Sequence, residues 1–445
     1  MIKPIFLFLS LFIAITTSAQ LTNELDSILK AKVDNSYNAN DSFGVSVSVT
    51  HQDGYSWKYA VGNSHKNTAL TTDMLMGIGS NTKLFTSVLC FKFQENGLLD
   101  LDDPLYTWLS LSAFPNIDST ATLRQCLQHN TGFADYVDVI MPDSVIDYDT
   151  VNYSYNEILS LVQSPNFAIG ANIAYSSTNF VLAEMILNQI SGREYYQLVR
   201  DSILEPLNLN HTYCEGFEPI NEPIAHPWYN NTDMDTVSRI ALSTASRGAG
   251  CIVSTPGDMT KWYAAIFRHN FISNQSINEM SNFIDWNGTP YDMGLGIYKV
   301  MYMQQELWGH SGQTIGYNSY TIYSPKGHYQ ISVIINDTHK SPRNLILQLS
   351  KKMSDYNKWL DIEEIEKAGN KIRVFPNSSK DNIRITSEST INKVEIFDIN
   401  GKLVLNYDSI NKREMLIDIS SFTEGIYSVI IYTNNSKFVK KVVKL

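Results

Sequence analysis

Cysteine and cationic side chains are both scarce in this 445-residue sequence. The four cysteines are widely spaced and form no C-x-x-C pair, which disfavours zinc and dithiol redox sites. Lys and Arg total 34 against 45 Asp and Glu, so the net charge is −11, and a nucleic-acid partner, which needs clustered cations, is not expected. No metal or cofactor is expected either. The cysteines should behave as small buried hydrophobic residues; they are Cys90, Cys126, Cys214 and Cys251.

Long hydrophobic runs are also missing, apart from a short one at the start of the chain. Lys3 precedes an apolar stretch from Ile5 to Ile15, and small residues follow it up to Ala19. This pattern is typical of a signal peptide, and its apolar part is too short to span a bilayer. We predict a signal peptide over residues 1–19 and no transmembrane segment in the mature protein. The alternative is an N-terminal core helix.

The charge is distributed unevenly along the chain. From Gly369 onward there are 12 Lys and Arg against 8 Asp and Glu, a net of +4, whereas the remainder carries −15. All tryptophans and all cysteines precede Gly369. We therefore predict a large domain over residues 20–360, a charged linker over 361–370 and a small C-terminal domain over 371–445.

The C-terminal segment consists of short alternating runs separated by turn signals, which predicts a small β-sandwich. It resembles the C-terminal sorting domain of proteins exported by the type IX secretion system of Bacteroidetes. The matching stretches are Val374–Asn377, Val394–Lys402, Gly425–Val429 and the final residues 440–445. The resemblance implies a protein that is secreted or held at the cell surface via the periplasm, with the secretion machinery as a partner. A carbohydrate- or protein-binding sandwich is the alternative.

Two hairpins bracket the large domain. Residues 43–50 and 56–62 alternate with period two across an Asp-Gly turn, and residues 317–323 and 329–335 form a similar pair much later. Helical patterns lie between them. This order predicts an α+β domain in which one antiparallel sheet, built from both ends of the domain, is flanked by helices and joined by a helical subdomain.

The most informative stretch of the large domain places Ser80 three residues before Lys83 at the start of a helix. Residues at this spacing share a helix face, so the lysine lies within reach of the serine hydroxyl. A serine is a weak nucleophile until a neighbouring group takes its proton, and a crowded lysine can do so. The alternative is a helix-capping serine beside a solvated lysine.

Two further motifs follow in order. Tyr175-Ser-Ser177 opens a helix, and a tyrosine beside cations can act as a base. His310-Ser-Gly312 precedes a strand, and its glycine lets the backbone approach a ligand closely. Other catalytic signatures are absent from the sequence, including H-E-x-x-H, G-x-S-x-G, the P-loop and G-x-G-x-x-G.

Together these motifs resemble the serine β-lactamase and D,D-peptidase superfamily, in particular the class C β-lactamase-like branch. The flanking stretches Asn96–Pro104, Leu127–Phe133 and Gly250–Met259 also match. The resemblance implies a β-lactamase/transpeptidase-like fold and acyl transfer without a metal. It implies Ser80 as the acylated nucleophile, Lys83 as the group that shares its proton, and Tyr175 as general base in acylation and acid towards the leaving group. The substrate-binding and oxyanion residues it implies are Ser177, His310, Gly312 and Gln313, the backbone N–H groups of Ser80 and Gln313 forming the oxyanion hole.

Two positions depart from the β-lactamase pattern. Ser177 stands where those enzymes have asparagine, and a hydroxyl holds a substrate amide less well than a carboxamide. His310 stands where they have lysine, and a neutral imidazole binds a carboxylate more weakly than an ammonium. We therefore expect a secreted serine hydrolase acting on a small-molecule or peptide substrate, cell-wall peptides included, and a carboxypeptidase or esterase rather than a true β-lactamase. The alternative function is a non-catalytic penicillin- or peptide-binding sensor.

Overall fold

A computed structural model describes residues 23–38, 41–140, 151–236, 239–286, 288–364, 372–376, 378–398, 402–433 and 437–444. The predicted signal peptide lies outside the described residues. Residues 361–364 of the predicted linker form the last turn of a helix, and its residues 365–370 also lie outside the described part of the chain. The chain divides into two compact units, the first ending at Lys352 and the second beginning at Met353.

The elements are as follows. The helices are α1 (23–34), α2 (Thr82–Glu95), α3 (Leu123–Leu127), α4 (Val137–Ile140), α5 (Tyr155–Ser160), α6 (Thr178–Ser191), α7 (Tyr195–Val199), α8 (Ile240–Ser246), α9 (Pro256–Arg268), α10 (Asn274–Met280) and α11 (Arg343–Glu364). Shorter helical turns are Gly79–Asn81, Leu105–Thr107, Arg200–Leu204 and Arg247–Ala249. The strands of the first unit are β1 (Gly44–His51), β2 (Ser56–His65), β3 (Thr68–Ala69), β4 (Met76–Gly77), β5 (Thr212–Cys214), β6 (Trp228–Tyr229), β7 (Thr232–Asp233), β8 (Ile252–Ser254), β9 (Ile284–Asp285), β10 (Tyr291–Met293), β11 (Tyr298–Tyr302), β12 (Gln305–Thr314), β13 (Tyr317–Ser324) and β14 (Tyr329–Ile335). Those of the second unit are β15 (Arg373–Phe375), β16 (Ser378–Ser379), β17 (Asn382–Phe397), β18 (Leu403–Tyr407), β19 (Lys412–Asp418), β20 (Gly425–Thr433) and β21 (Lys437–Lys444).

The first unit is built on a nine-stranded sheet whose order is β3-β2-β1-β14-β13-β12-β11-β10-β9. The early strand β1 pairs antiparallel with the late strand β14, with Val47 opposite Val333, so the prediction of one sheet made from both ends of the domain is confirmed. Every residue of β14 is buried, because helices cover both faces of the central strands. On these strands α9 is tied to β1 through Ser48 and Thr260, whose hydroxyls lie 3.0 Å apart.

The helical part of the first unit packs around α2 and α6. Both helices are apolar on most sides and contribute Phe85, Leu89, Phe180 and Leu187, all fully buried, to one continuous core. A helix that is apolar nearly all round belongs inside a domain rather than on its surface. The four cysteines are buried as predicted and carry free thiols. None of the helices in the described part of the chain has the length and apolar character that crossing a bilayer requires.

The second unit is strand-rich and sandwich-like. Its long strand β17 pairs with β15 and β19 along its first half and with β18 and β20 along its second, with register shifts between Thr386 and Lys393. Alternate side chains of β17 are buried, among them Ile383, Ile385 and Ile396. The predicted period-two pattern is therefore confirmed, and these residues form a core of their own within the unit.

Candidate active site

Ser80 lies in the tight turn that precedes α2, and the turn is fixed to the sheet by hydrogen bonds. The hydroxyl of Ser319 on β13 donates to the carbonyl of Ile78 at 2.8 Å and accepts from the side-chain amide of Asn81 at 2.9 Å. The Ser80 residue itself is partly buried. It does not cap α2, because the capping position belongs to Asn81, so the alternative of a merely helix-capping serine does not hold.

Lys83 is completely buried and lies against Ser80, the predicted nucleophile. Its Nζ donates to the Ser80 hydroxyl at 3.1 Å, to the backbone carbonyl of Ala249 at 2.9 Å and, at 3.5 Å, to the Ser177 hydroxyl. Burial lowers the pKa of Lys83 to about 7, an effect that the negative charge of Asp135 partly opposes. At neutral pH, Lys83 is therefore an uncharged amine in a large fraction of the molecules, and an uncharged amine can accept a proton.

The helical turn Arg247–Ala249, whose last carbonyl accepts from Lys83, is supported by a buried ion pair. Glu184 on α6 accepts a hydrogen bond from the backbone of Gly248, lies 3.6 Å from the Arg247 guanidinium, and accepts from the hydroxyl of Tyr155 at 2.6 Å. Burial raises the pKa of Glu184, and the neighbouring Arg247 opposes that rise. These contacts fix the position of the Ala249 carbonyl, and hence that of the Lys83 ammonium.

Replacing Glu184 by alanine is expected to lower the free energy of unfolding by about 3–5 kcal/mol, because the buried Arg247 would lose its charged partner. Urea denaturation of the purified variant measures this loss. Glu157, an exposed residue whose side chain completes the capping box of α5 with Ser154, provides a control, since its alanine variant should lose only about 1 kcal/mol. Equal losses in the two variants would contradict the importance of the buried pair.

Tyr175 lies in the segment just before α6, with its hydroxyl oxygen buried beside Ser80. Burial strongly raises the pKa of Tyr175, and the interaction with the Ser80 hydroxyl opposes this rise. Lys83 Nζ is 4.9 Å from the centre of the phenol ring, and the Trp286 ring is stacked with the phenol at 6.2 Å between centroids. The phenol is thus held next to both Ser80 and Lys83 in its protonated form.

His310 on β12 faces Tyr175 and Tyr298, with ring centroids 5.9 and 5.0 Å apart. Its Nδ1 contacts the backbone carbonyl of Ser311, and a carbonyl oxygen can only accept, so Nδ1 carries the proton. Burial, together with the charge of Lys83, lowers the pKa of His310 to about 3. The neutral ring leaves Nε2 as a buried acceptor that has no partner among the described residues.

The absence of a side chain at Gly312 allows β12 to pack closely against the turn that contains Ser80. A Cβ at Gly312 would fall 1.9 Å from the carbonyl oxygen of Ile78, a distance that no side chain can occupy. Gly79 adopts a positive φ of 49°, and a Cβ there would lie 2.7 Å from the backbone nitrogen of Gln313. The backbone of Gln313 is therefore adjacent to the nucleophile turn, as an oxyanion hole built from these two segments requires.

The fold brings the sequence-predicted site residues together: Ser80, Lys83, Tyr175, Ser177, His310, Gly312 and Gln313. Sequence reasoning missed the Ala249 carbonyl, since a backbone group has no sequence signature, and Asp135, which acts on Lys83 through its charge. His129, in the matching stretch Leu127–Phe133, is completely buried and stacks against Tyr175. Among the described residues, no group of three or more His, Cys, Asp or Glu side chains could hold a metal ion.

Comparisons with known proteins identify a family for each of the two parts of the chain. The β-lactamase family model matches residues 25–349, and the secretion system C-terminal sorting domain model matches residues 373–445. Penicillin-binding protein 4* of Bacillus subtilis is 25% identical over 272 residues, 57% of this chain and 58% of that protein. Protein flp of Staphylococcus aureus is 21% identical over 299 residues, 65% of this chain and 58% of that protein. The chain therefore spans a little over half the length of these curated relatives.

Solved structures share the fold. The D-amino acid amidase of Ochrobactrum anthropi, complexed with L-phenylalanine amide, superposes with a TM-score of 0.67 at 24% identity, covering 75% of this chain and 99% of that one. A penicillin-binding protein of Bacillus halodurans gives a TM-score of 0.62 at 17% identity, covering 73% and 98%. The predicted β-lactamase/transpeptidase-like fold is confirmed, and the sorting domain identifies a protein that is secreted or held at the cell surface. The chain belongs to the β-lactamase family, which is part of a superfamily of serine hydrolases.

Proposed function

We propose that this protein hydrolyses an amide or ester bond through an acyl-enzyme on Ser80. The observation that carries the proposal is the 3.1 Å contact between Lys83 Nζ and the Ser80 hydroxyl, made by a lysine whose pKa is lowered to about 7. A buried amine that is free at neutral pH can take the serine proton as the oxygen attacks.

Acylation proceeds through a tetrahedral intermediate. Ser80 Oγ forms a bond to the substrate carbonyl carbon while its proton moves to the free amine of Lys83. The backbone N–H groups of Ser80 and Gln313 stabilise the resulting oxyanion, typically the largest single electrostatic contribution to such a reaction. The bond to the leaving group then breaks, and the leaving group takes up a proton. Water afterwards attacks the acyl-enzyme by the reverse sequence and releases the acid.

Of the two predicted roles of Tyr175, base in acylation and acid towards the leaving group, we propose that it acts mainly as the acid. Because burial raises the pKa of Tyr175, a standing phenolate is disfavoured and Lys83 is the better first proton acceptor. The protonated phenol, close to both Ser80 and Lys83, donates to the departing alcohol or amine. The lysine ammonium formed during acylation restores the phenol proton.

His310 narrows the choice of substrate. With its proton held on Nδ1, its free Nε2 accepts hydrogen bonds but cannot donate one to a carboxylate. This disfavours β-lactams, which carry a carboxylate, and of the expected carboxypeptidase or esterase activity it supports the esterase. Among peptidase-type substrates it favours amides without a free carboxylate over those of a carboxypeptidase. Amino acid amides are candidates, since a D-amino acid amidase shares the fold.

A three-substrate comparison tests this specificity. We expect a short-chain p-nitrophenyl ester to be turned over faster than nitrocefin or a D-Ala-D-Ala peptide. Replacing His310 by lysine should raise nitrocefin turnover relative to the ester by about tenfold, because an ammonium can bind the carboxylate. Ser80→Ala serves as the control for uncatalysed hydrolysis. Nitrocefin turnover by the wild-type protein that matches or exceeds ester turnover would contradict the proposal.

We propose the predicted organisation for the whole chain: a signal peptide over 1–19, the hydrolase over 20–360, a linker over 361–370 and the sorting domain over 371–445. The sorting-domain match over residues 373–445 supports the last of these boundaries.

A chain truncated after Lys371 is expected to remain inside the outer membrane, because the address read by the secretion machinery is missing. Fractionation of a type IX-competent host with antibody against the hydrolase unit measures this distribution. The truncated enzyme should keep its ester hydrolysis in lysates, which serves as the folding control. Normal export of the truncated chain would refute the sorting role.

A further inference from the structure

His129 holds the chain on both sides of Tyr175. Its backbone carbonyl accepts from the N–H of Ala174 at 3.1 Å, and its ring Nδ1 accepts from the N–H of Ser176 at 3.0 Å. One residue therefore fixes the backbone immediately before and immediately after the tyrosine. Ser80 and Lys83 are positioned differently, by the turn Gly79–Asn81 and by α2.

The His129 ring also stacks against the phenol ring of Tyr175. The two ring centroids are 4.3 Å apart with an interplanar angle of 27°, and Phe180 contacts the imidazole at 5.3 Å. His129 has no exposed surface, so its ring cannot turn away without displacing its neighbours. Its φ of +56° is a left-handed conformation that His and Asn tolerate better than most residues.

The hydrogen bonds of His129 also fix its tautomer. Because Nδ1 accepts from a backbone N–H, it carries no proton, and the neutral ring holds its proton on Nε2. Burial, and after it the charge of the nearby Lys83, keeps the pKa of His129 well below its usual value, so the ring stays neutral. A neutral ring with a fixed acceptor at Nδ1 is a structural clamp and not a proton carrier.

We propose that His129 is a positioning residue for Tyr175, which holds the phenol where it can give its proton to the leaving group. This inference rests on the acid role that the proposed function gives to Tyr175. Displacement of the phenol should slow only those reactions whose leaving group needs a proton, because p-nitrophenolate departs readily without one.

The test uses a matched pair of variants, His129→Asn and His129→Gln, with two esters of one acid, ethyl butyrate and p-nitrophenyl butyrate. Asparagine places its carboxamide oxygen near the position of Nδ1 and tolerates a positive φ, whereas the longer glutamine does not reproduce that acceptor. We expect the ethyl-to-p-nitrophenyl rate ratio to stay within about threefold of wild type in the Asn variant. In the Gln variant it should fall by about tenfold or more, since small displacements of a reacting group are costly.

Tyr175→Phe provides the benchmark, with an expected selective loss of ethyl butyrate turnover. If Tyr175→Phe shows this selectivity while Asn and Gln at position 129 change the ratio equally, or not at all, the positioning role is overturned and the proposed function stands. If Tyr175→Phe slows both esters equally, the acid role of Tyr175 fails and the inference fails with it. Melting temperatures of the paired variants identify a general loss of folding, which would lower both rates together and leave the ratio unchanged.

Discussion

Replacing Ser80 by alanine is expected to lower kcat/KM for a p-nitrophenyl ester by about 10⁴-fold or more, because removal of a covalent nucleophile leaves only binding and oxyanion stabilisation. The loss should be in kcat, with KM little changed, since the serine oxygen forms its bond only along the reaction path. Initial-rate measurements across a range of ester concentrations separate the two parameters.

The Ser80→Ala variant should fold normally, which makes the activity loss interpretable. Ser80 is only partly buried, and the turn around it is held by Ser319 and Asn81 rather than by the serine hydroxyl. The midpoint of urea unfolding should therefore be close to that of the wild-type protein. Turnover at a level near that of wild type would remove Ser80 from the mechanism.

Replacing Lys83 by methionine should lower kcat/KM by about 10²–10⁴-fold, the usual contribution of a positioned acid–base group. The pKa of Lys83 lies at about 7, so the wild-type rate should rise with pH as the ammonium loses its proton and level off above that value. The methionine variant should lack this rise. A pH profile of kcat/KM from pH 5 to 9 tests both statements.

The same substitution should increase stability. The folded-state pKa of Lys83 is lowered, so between about pH 7 and the ordinary value the unfolded chain binds more protons than the folded one, and stability rises with pH over that window. Below pH 7 Lys83 is charged in the folded protein, and the full cost of burying that charge is subtracted from the free energy of unfolding. A methionine has no such cost, and its variant should unfold at higher urea concentration at pH 7. An inactive variant that is also less stable than wild type would attribute the loss to misfolding instead.

The sequence was sufficient for the parts of the site that depend on local spacing. Ser80 and Lys83 meet because residues three apart share a helix face. The period-two alternation of residues 43–50 and 329–335 likewise predicts the strands β1 and β14 themselves. The rest depends on long-range packing. The Ala249 carbonyl lies 166 residues from Lys83 in the chain and is a backbone group, so no residue pattern marks it.

The two histidines show the same limit. His129 and His310 are both single histidines near glycines in the sequence, yet one accepts at Nδ1 and the other donates there. The difference comes from which backbone group lies beside each ring, and only the folded chain decides that. The roles that we propose for them, a clamp under Tyr175 and an acceptor towards the substrate, could not be separated from residue identity alone.

The central claim is that Ser80 becomes covalently acylated, and a fluorophosphonate ester tests it most directly. Intact-mass spectrometry of the wild-type protein after incubation should show one adduct per chain, and peptide mapping should place it on Ser80. The Ser80→Ala variant should remain unmodified under the same conditions. A wild-type protein that forms no adduct, or forms it on another residue, would contradict the account and would favour a non-catalytic binding protein on the same fold.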